Sequence, residues 1–149
     1  MREVWRPRVT VAAGIQPDGK FLLVEEMIDG RKVINQPAGH LDPGESLAAA
    51  CAREVLEETA HRFEPTGLVG VYRWHYEPKD VTFLRFCFRG KLLGQENRAL
   101  DKEIIGLLWL TRDQVKASAA ARSPLVLRCI DDYEAGRNYP LDVFSKEFS

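Results

Sequence analysis

Residues 39–61 read GHLDPGESLAAACAREVLEETAH, and the interpretation of the whole chain starts from this stretch. Positions 46–59 favour a helix because they contain strong helix formers and neither glycine nor proline. At about 3.6 residues per turn, the carboxylates of Glu54, Glu57 and Glu58 project from one side of that helix. Small and aliphatic residues cover the opposite side. The stretch therefore predicts an amphipathic helix whose polar side carries three acids.

Three acids on one helix face repel one another, and like charges one turn apart destabilise a helix. A hard divalent cation would compensate for this repulsion because it prefers carboxylate oxygens as ligands. Mg²⁺ held in this way keeps positions free for water and for phosphate oxygens. A glutamate-rich helix face is also typical of an ordinary solvated surface, so the helix alone leaves both interpretations open.

The residues around the helix have a fixed register over seven positions: Gly39, Glu45, Arg53, Glu54, Val55, Glu57 and Glu58. This register resembles the signature of the Nudix hydrolases, a loop-helix-loop with the pattern Gly-x5-Glu-x7-Arg-Glu-aliphatic-x-Glu-Glu-x-Gly-aliphatic. Ala60 and His61 depart from the pattern at its last two positions. Alanine in place of a helix-ending glycine costs about 1 kcal/mol. We therefore expect the helix to run on or to end differently, with altered local geometry but retained activity.

The resemblance implies a role for each matching residue. It assigns metal binding and catalysis to Glu54, Glu57 and Glu58, with the backbone oxygen of Gly39 as a further ligand. The implied metal is Mg²⁺, with Mn²⁺ as a substitute. Glu45 and Arg53 are implied to form an internal salt bridge that holds the loop against the helix.

A further acid is expected from outside the signature. Family members often carry one six positions before a tryptophan in a late strand, and Glu103 precedes Trp109 by six. Glu103 is thus a candidate metal ligand or general base, and an ordinary loop glutamate is the alternative. Which carboxylate accepts the proton of the attacking water stays open.

Several segments outside the signature are similar to the NudJ-type phosphatases: 6–12, 35–41, 83–86, 122–126 and 139–141. That resemblance implies hydrolysis of nucleoside di- and triphosphates and of hydroxymethylpyrimidine pyrophosphate, with release of phosphate. One alternative is a housecleaning triphosphatase that releases pyrophosphate. Another is a nucleotide-sensing domain that has lost turnover.

Four residues are candidates for substrate binding: Gln36, His40, Trp74 and Arg85. Gln36 and His40 flank the Gly39 loop, although His40 could equally organise that loop. Arg85 alternates with apolar residues on a strand and could grip phosphate oxygens, or be a charge on an outer face. Trp74 could stack on a base or belong to the core.

The predicted elements follow the order β-β-β-α-β-β-β-α-α, which favours one mixed sheet with helices packed on it. A turn at 16–19 joins strands 9–15 and 21–25, and residues 39–45 read as a loop. The fold class is α/β of the α+β type, and the resemblance implies an α/β/α sandwich. We expect a single domain over residues 1–149, with its signature at 39–61.

The composition excludes several classes of function. A net charge of -1 argues against a nucleic-acid duplex or an anionic membrane as partner. The partner that the resemblance implies is a small phosphate-anhydride substrate. Three widely separated cysteines predict neither zinc binding nor a disulfide framework. No signal peptide or membrane span is evident, so we expect a cytoplasmic monomer or small homo-oligomer.

Overall fold

The computed structural model describes residues 2–146, which form seven strands and three α-helices. The strands are β1 (Arg8–Gly14), β2 (Phe21–Ile28), β3 (Arg31–Asn35), β4 (Ala38–His40), β5 (His61–Tyr76), β6 (Val81–Gln95) and β7 (Ile104–Leu110). The helices are α1 (Leu47–Thr59), α2 (Arg112–Ala117) and α3 (Pro124–Glu134), and short 3-10 turns lie at Glu77–Lys79 and Leu141–Val143. The predicted mixture of strands and helices is confirmed.

The strands divide between two sheets, and the expectation of one mixed sheet is wrong on this point. The larger sheet has the order β4-β1-β6-β5. Within it, β1 and β6 run parallel, whereas the pairs β4–β1 and β6–β5 are antiparallel. The smaller sheet has the antiparallel order β3-β2-β7. β1 and β2 belong to different sheets and do not pair with each other. The turn at 16–19 therefore carries the chain from the larger sheet to the smaller one.

The sheets lie between two helical layers, as the sandwich interpretation requires. Helix α1 packs on one side through Cys51 and Val55, which join a core that contains Val11, Leu22 and Phe88. Helices α2 and α3 pack on the other side, against the opposite faces of the same strands. Because side chains alternate along a strand, each strand contributes to both cores.

Helix α1 begins and ends close to the predicted bounds. The Ser46 hydroxyl accepts from the Ala49 N–H at 3.0 Å and caps the first turn. Ala60 has φ 57 and ψ 19, the left-handed conformation that a glycine would adopt there, and its N–H donates to the Leu56 carbonyl. The expected extension of the helix and altered local geometry are therefore wrong. Alanine takes the glycine conformation at an energetic cost.

One smaller difference bears on the site. The expected loop at 39–45 begins as strand β4, which places Gly39 and His40 on a sheet edge.

Cys51, Cys87 and Cys129 are buried free thiols. None of the helices in residues 2–146 has the length and apolar character needed to span a membrane.

Candidate active site

Arg53 joins the loop to helix α1. Its Nε and Nη2 donate to the two oxygens of Glu45, each at 2.7 Å, which is a bidentate pair. Nη2 also donates to the His40 carbonyl at 3.0 Å and lies 3.3 Å from Asp42. The hydrogen bonds from Arg53 lower the pKa of Glu45 to about 2, and Glu45 in turn raises the pKa of Arg53. The loop and the helix are thus one electrostatically linked unit.

Helix α1 presents its acids to strand β4. The Ala38 N–H donates to Glu58 Oε1 at 2.8 Å. The Glu54 carboxylate lies so close to Gly39 that an added Cβ would be 2.1 Å from its carboxyl carbon. A side chain at position 39 would therefore displace Glu54. The structure brings Gly39, Glu54 and Glu58 together, as the register in the sequence predicts.

Glu57 joins the same group through Arg53. The Arg53 Nη1 donates to Glu54 Oε1 at 2.8 Å and to Glu57 Oε2 at 3.4 Å. Glu57 is the most accessible of the three helix acids, with its side chain 33% exposed, against 12% for Glu54. One guanidinium nitrogen is thus shared between two acids, which leaves each of them only partly compensated.

The buried acids of this group resist ionisation. Burial raises the pKa of Glu58 to about 9, and the nearby charges of Glu26, Glu54 and Asp101 add to the effect. Burial also raises the pKa of Glu54, although Arg53 opposes this shift. Negative charge is therefore concentrated where α1 meets β4, and a cation bound there would allow both carboxylates to ionise.

The residues fit an open metal site rather than a closed cage. Within residues 2–146, no three acidic, histidine or cysteine side chains converge tightly enough to enclose an ion. The available donors are carboxylate oxygens, which suit a hard cation such as Mg²⁺ that keeps several waters and phosphate oxygens as ligands. The close approach of Glu54 to Gly39, where a Cβ would not fit, keeps this side of the site free of other side chains.

Two acids near the helix were missed by the sequence analysis. Asp101 lies in the loop before β7, and its N–H donates to the Glu57 carbonyl at 3.0 Å. Glu26 comes from β2, is 6% exposed and pairs with Arg122 at 2.8 Å. Both charges raise the pKa of Glu58. The sequence signal for Asp101 is an acid in the loop before a late strand. The spacing from Trp109 selected another residue of that loop as the candidate.

That residue, Glu103, is exposed and lies directly before β7. The loop acid whose charge raises the pKa of both Glu54 and Glu58 is Asp101. The backbone bond from Asp101 to Glu57, together with one from Glu96 to Ala60 at 2.7 Å, ties this loop to the end of α1. The structure therefore brings Asp101 to the helix acids and leaves Glu103 at the surface.

A cavity of about 250 Å³ opens beside Gly39 and His40, on the side of the larger sheet opposite α1. Its cationic lining residues are Arg8, Arg31, Arg85, Lys79 and Arg122, and its aromatic ones are Trp74, Tyr76 and Phe83. Burial and the charges of Arg8 and Arg122 lower the pKa of His40, which also lines the cavity. Cations and aromatic rings that reach the acidic helix through strand β4 suit a ring-bearing phosphate ester.

Of the four candidate substrate-binding residues, His40, Trp74 and Arg85 line this cavity and Gln36 does not. Gln36 is 1% exposed, its Nε2 donates to the Val126 carbonyl at 2.8 Å, and its Oε1 accepts from Arg85 at 3.0 Å. The structure therefore does not place Gln36 at the cavity, because both ends of its amide are hydrogen-bonded within the protein. The preceding residue, Asn35, lines the cavity instead.

Comparison with known proteins agrees with the fold and the site. The NUDIX domain family matches residues 5–129. The chain is 38% identical over 141 residues to Phosphatase NudJ of Escherichia coli K12, covering 94% of this chain and 92% of that protein. It is 48% identical to a NUDIX hydrolase from Nitrosomonas europaea, whose structure superposes with a TM-score of 0.92 and covers 95% of this chain and 98% of that one. A MutT protein from Methanosarcina mazei shares the fold at 22% identity, with a TM-score of 0.72 over 91% of this chain and all of that one. The chain belongs to the Nudix hydrolases, enzymes that cleave pyrophosphate bonds.

Proposed function

We propose that this hydrolase is Mg²⁺-dependent and cleaves a pyrophosphate bond in small organic di- and triphosphates. The substrates would be nucleoside di- and triphosphates or hydroxymethylpyrimidine pyrophosphate, with phosphate as product and Mn²⁺ as an alternative metal. The observation that carries the proposal is that strand β4 contacts both the partly compensated acid cluster of α1 and a cavity lined with cations and aromatic rings. The relative Phosphatase NudJ supports phosphate as the product.

The metal would be held by Glu54, Glu57 and Glu58, together with the Gly39 backbone oxygen. It would supply neutralisation of phosphate charge and activation of water. The chain itself positions these ligands: β4 fixes Glu58 through the Ala38 N–H, and Arg53 orients Glu54 and Glu57. Arg53 and Glu45 thus act as positioning residues rather than by touching the reacting atoms.

The proton of the attacking water needs a carboxylate acceptor, and the loop before β7 offers two. Asp101 is the candidate that the geometry favours, because its charge acts on Glu54 and Glu58, while Glu103 is exposed. We expect Asp101→Asn to lower kcat more than Glu103→Gln does, with KM nearly unchanged in both. A larger loss in Glu103→Gln would return the role to the residue chosen from sequence.

The dimensions of the cavity favour small substrates. At about 250 Å³ it falls at the lower end of ligand pockets, which run from roughly 300 to 1,000 Å³. One ring with its phosphates suits this space better than two joined nucleotides do. The exposed Arg8, Lys79 and Arg122 can meet phosphate oxygens at its mouth.

A panel of substrates followed by ³¹P NMR tests the proposal. Phosphate release from nucleoside diphosphates or hydroxymethylpyrimidine pyrophosphate is expected. Pyrophosphate release from triphosphates would favour the housecleaning alternative, and no turnover of any substrate would favour a nucleotide sensor.

The metal assignment has its own test in the double variant Glu57→Gln/Glu58→Gln. Its turnover should fall by several orders of magnitude even with Mg²⁺ in excess. The control is Glu3→Gln/Glu64→Gln, which changes two exposed glutamates outside α1. Near-normal turnover in the first double variant would defeat the assignment.

The compartment and assembly of the protein remain part of the same proposal. Three buried free thiols are compatible with a reducing compartment such as the cytoplasm. A monomer or small homo-oligomer is expected.

A further inference from the structure

Arg85 is a buried cation with only neutral partners. Its side chain lies on β6 and the residue is 6% exposed. Nη1 donates to Gln36 Oε1 at 3.0 Å, and Nη2 donates to Asn35 Oδ1 at 3.2 Å. No carboxylate in residues 2–146 forms an ion pair with it. Burying a guanidinium without a charged partner is costly, and a ligand that accepts hydrogen bonds from Arg85 would offset this cost.

The Arg85 guanidinium lines the cavity and has N–H groups available for a ligand. A guanidinium carries five N–H groups, of which three donate to Gln36 Oε1, to Asn35 Oδ1 and, at 4.0 Å, to Cys129 Sγ, so the Nε–H and one Nη2 N–H remain for a ligand. The two amide oxygens fix the group at both terminal nitrogens. A planar fork is therefore held in one orientation at the wall of the cavity.

Arg85 lies two strands away from the strand that contacts the helix acids. In the larger sheet, His40 pairs with Thr10, and Thr10 pairs with Arg85, so the three lie in one row across β4, β1 and β6. Neighbouring strands are about 4.8 Å apart, which places β6 roughly 10 Å from β4. Gly39 and the helix acids are at the β4 end of this row. A substrate whose phosphates meet the helix acids would therefore extend its organic part toward Arg85.

A stacked aromatic pair lies beside Arg85. Phe83 precedes it by two residues on β6, so both side chains are on the same face of the sheet. Phe83 stacks on Trp74 with ring centroids 5.7 Å apart and an interplanar angle of 18°. Leu125 adds an apolar wall. A ring that lies against Trp74 and Phe83 would present its edge to the guanidinium.

We propose that Arg85 reads the acceptor edge of a heteroaromatic ring bound beside Trp74 and Phe83, and so selects which base the substrate carries. This inference rests on the proposed function in taking the cavity as the substrate site. A guanidinium fork pairs best with two adjacent acceptors, such as O6 and N7 of guanine. Cytosine offers the same arrangement at O2 and N3, while adenine and uracil interrupt each such pair with a donor. The site therefore prefers guanine and cytosine.

The competing assignment is a phosphate on Arg85. The exposed cations Arg8, Lys79 and Arg122 already line the cavity and can meet phosphate oxygens, whereas Arg85 lies among Trp74 and Phe83. The ring is therefore the better partner for the buried guanidinium.

Fluorescence titration of Trp74 tests this without turnover. The variant Trp5→Phe/Trp109→Phe leaves Trp74 as the remaining tryptophan of the three. GMP, CMP, AMP and UMP are titrated in EDTA, with inorganic phosphate as a ring-free probe. Because the four nucleotides share one phosphate, differences among their Kd values report on the ring. GMP and CMP should bind at least about fivefold more tightly than AMP and UMP.

Arg85→Lys in the same background keeps the charge and removes the fork, so the four Kd values should converge while phosphate binding is unchanged. The matched control is Arg89→Lys, because Arg89 is on the same strand but donates to the Tyr133 and Arg137 carbonyls. It should leave the preference intact.

Three results would overturn the inference. Equal Kd values for the four nucleotides in the parent would do so even if Arg85→Lys failed to fold. An unchanged preference in a folded Arg85→Lys would make Arg85 purely structural. Equal weakening of all four nucleotides and of inorganic phosphate would assign it to a phosphate. A base preference in a protein without turnover would instead refute only the proposed hydrolysis, so the two failures are distinguishable.

Discussion

Replacing Glu58 by glutamine should stabilise the metal-free protein while removing its response to metal. Glu58 is 7% exposed, and burial raises its pKa from the usual 4.5 to about 9. In the unfolded chain the carboxyl ionises near pH 4.5, whereas in the fold it keeps its proton until about pH 9. Its ionisation therefore opposes folding increasingly between these two pH values.

The magnitude follows from the two pKa values. Each pH unit in this window costs about 1.4 kcal/mol, so the penalty at pH 7 is on the order of 3.5 kcal/mol. Glutamine has no ionisation to suppress, and its amide oxygen can still accept from the Ala38 N–H that now donates at 2.8 Å. For a chain of this length the gain corresponds to roughly 7–14 °C in Tm.

Thermal unfolding in EDTA at pH 5, 7 and 8.5 measures this effect. The stabilisation by Glu58→Gln should be small at pH 5 and should grow with pH. Added Mg²⁺ should raise the Tm of the wild type but not that of the variant. Glu64→Gln is the control, because Glu64 is exposed and should change neither quantity. A stability difference that does not vary with pH would refute the reasoning.

Three further predictions concern the frame of the site. Gly39→Ala should leave the Tm nearly unchanged but weaken Mg²⁺ binding, measured by calorimetry, by roughly tenfold or more, since the new Cβ displaces only the flexible end of Glu54. Ala60→Gly should raise the free energy of unfolding in urea by about 1 kcal/mol, because the residue has φ 57. Glu45→Gln should remove the stability that the pair with Arg53 contributes. In the wild type this contribution is present above about pH 4.5 and is lost as the pH falls toward 2. Acid unfolding of the variant and of the wild type measures the difference. The first prediction fails if Gly39→Ala binds Mg²⁺ as tightly as the wild type does. The second fails if Ala60→Gly is less stable than the wild type, and the third fails if Glu45→Gln and the wild type have superimposable acid-unfolding transitions.

The local part of the site could be predicted from sequence because its geometry is set by helical periodicity and short spacing. Glu45 and Arg53 are eight residues apart on one loop and helix, and their bidentate pair forms as the register indicates. The N-terminal caps of α2 and α3, Thr111 and Ser123, are equally local, since each side chain accepts from a backbone N–H two or three residues ahead. Such features need no knowledge of tertiary contacts.

The features that the sequence did not predict depend on contacts between residues that are far apart in the chain. The hairpin expected for β1 and β2 rested on a local turn signal, but β1 pairs with β4 and β6. Gln36 and Asn35 differ by one position, and only the packing of α3 decides which of them lines the cavity. Asp101 was missed because a count from Trp109 selects Glu103, whereas the loop backbone brings Asp101 to α1.

The same long-range contacts explain why the proposed site would favour a bound cation. On an isolated helix, three acids would repel by only a few tenths of a kcal/mol for each pair. In the fold, Glu26 from β2 and Asp101 from the β6–β7 loop add their charges to Glu54 and Glu58, and burial strengthens every interaction. The nearby cations Arg53 and Arg122 are each engaged by particular carboxylates. Metal affinity is therefore a property of the assembled sheets and loop, and variants of Asp101 should change it without altering the signature helix.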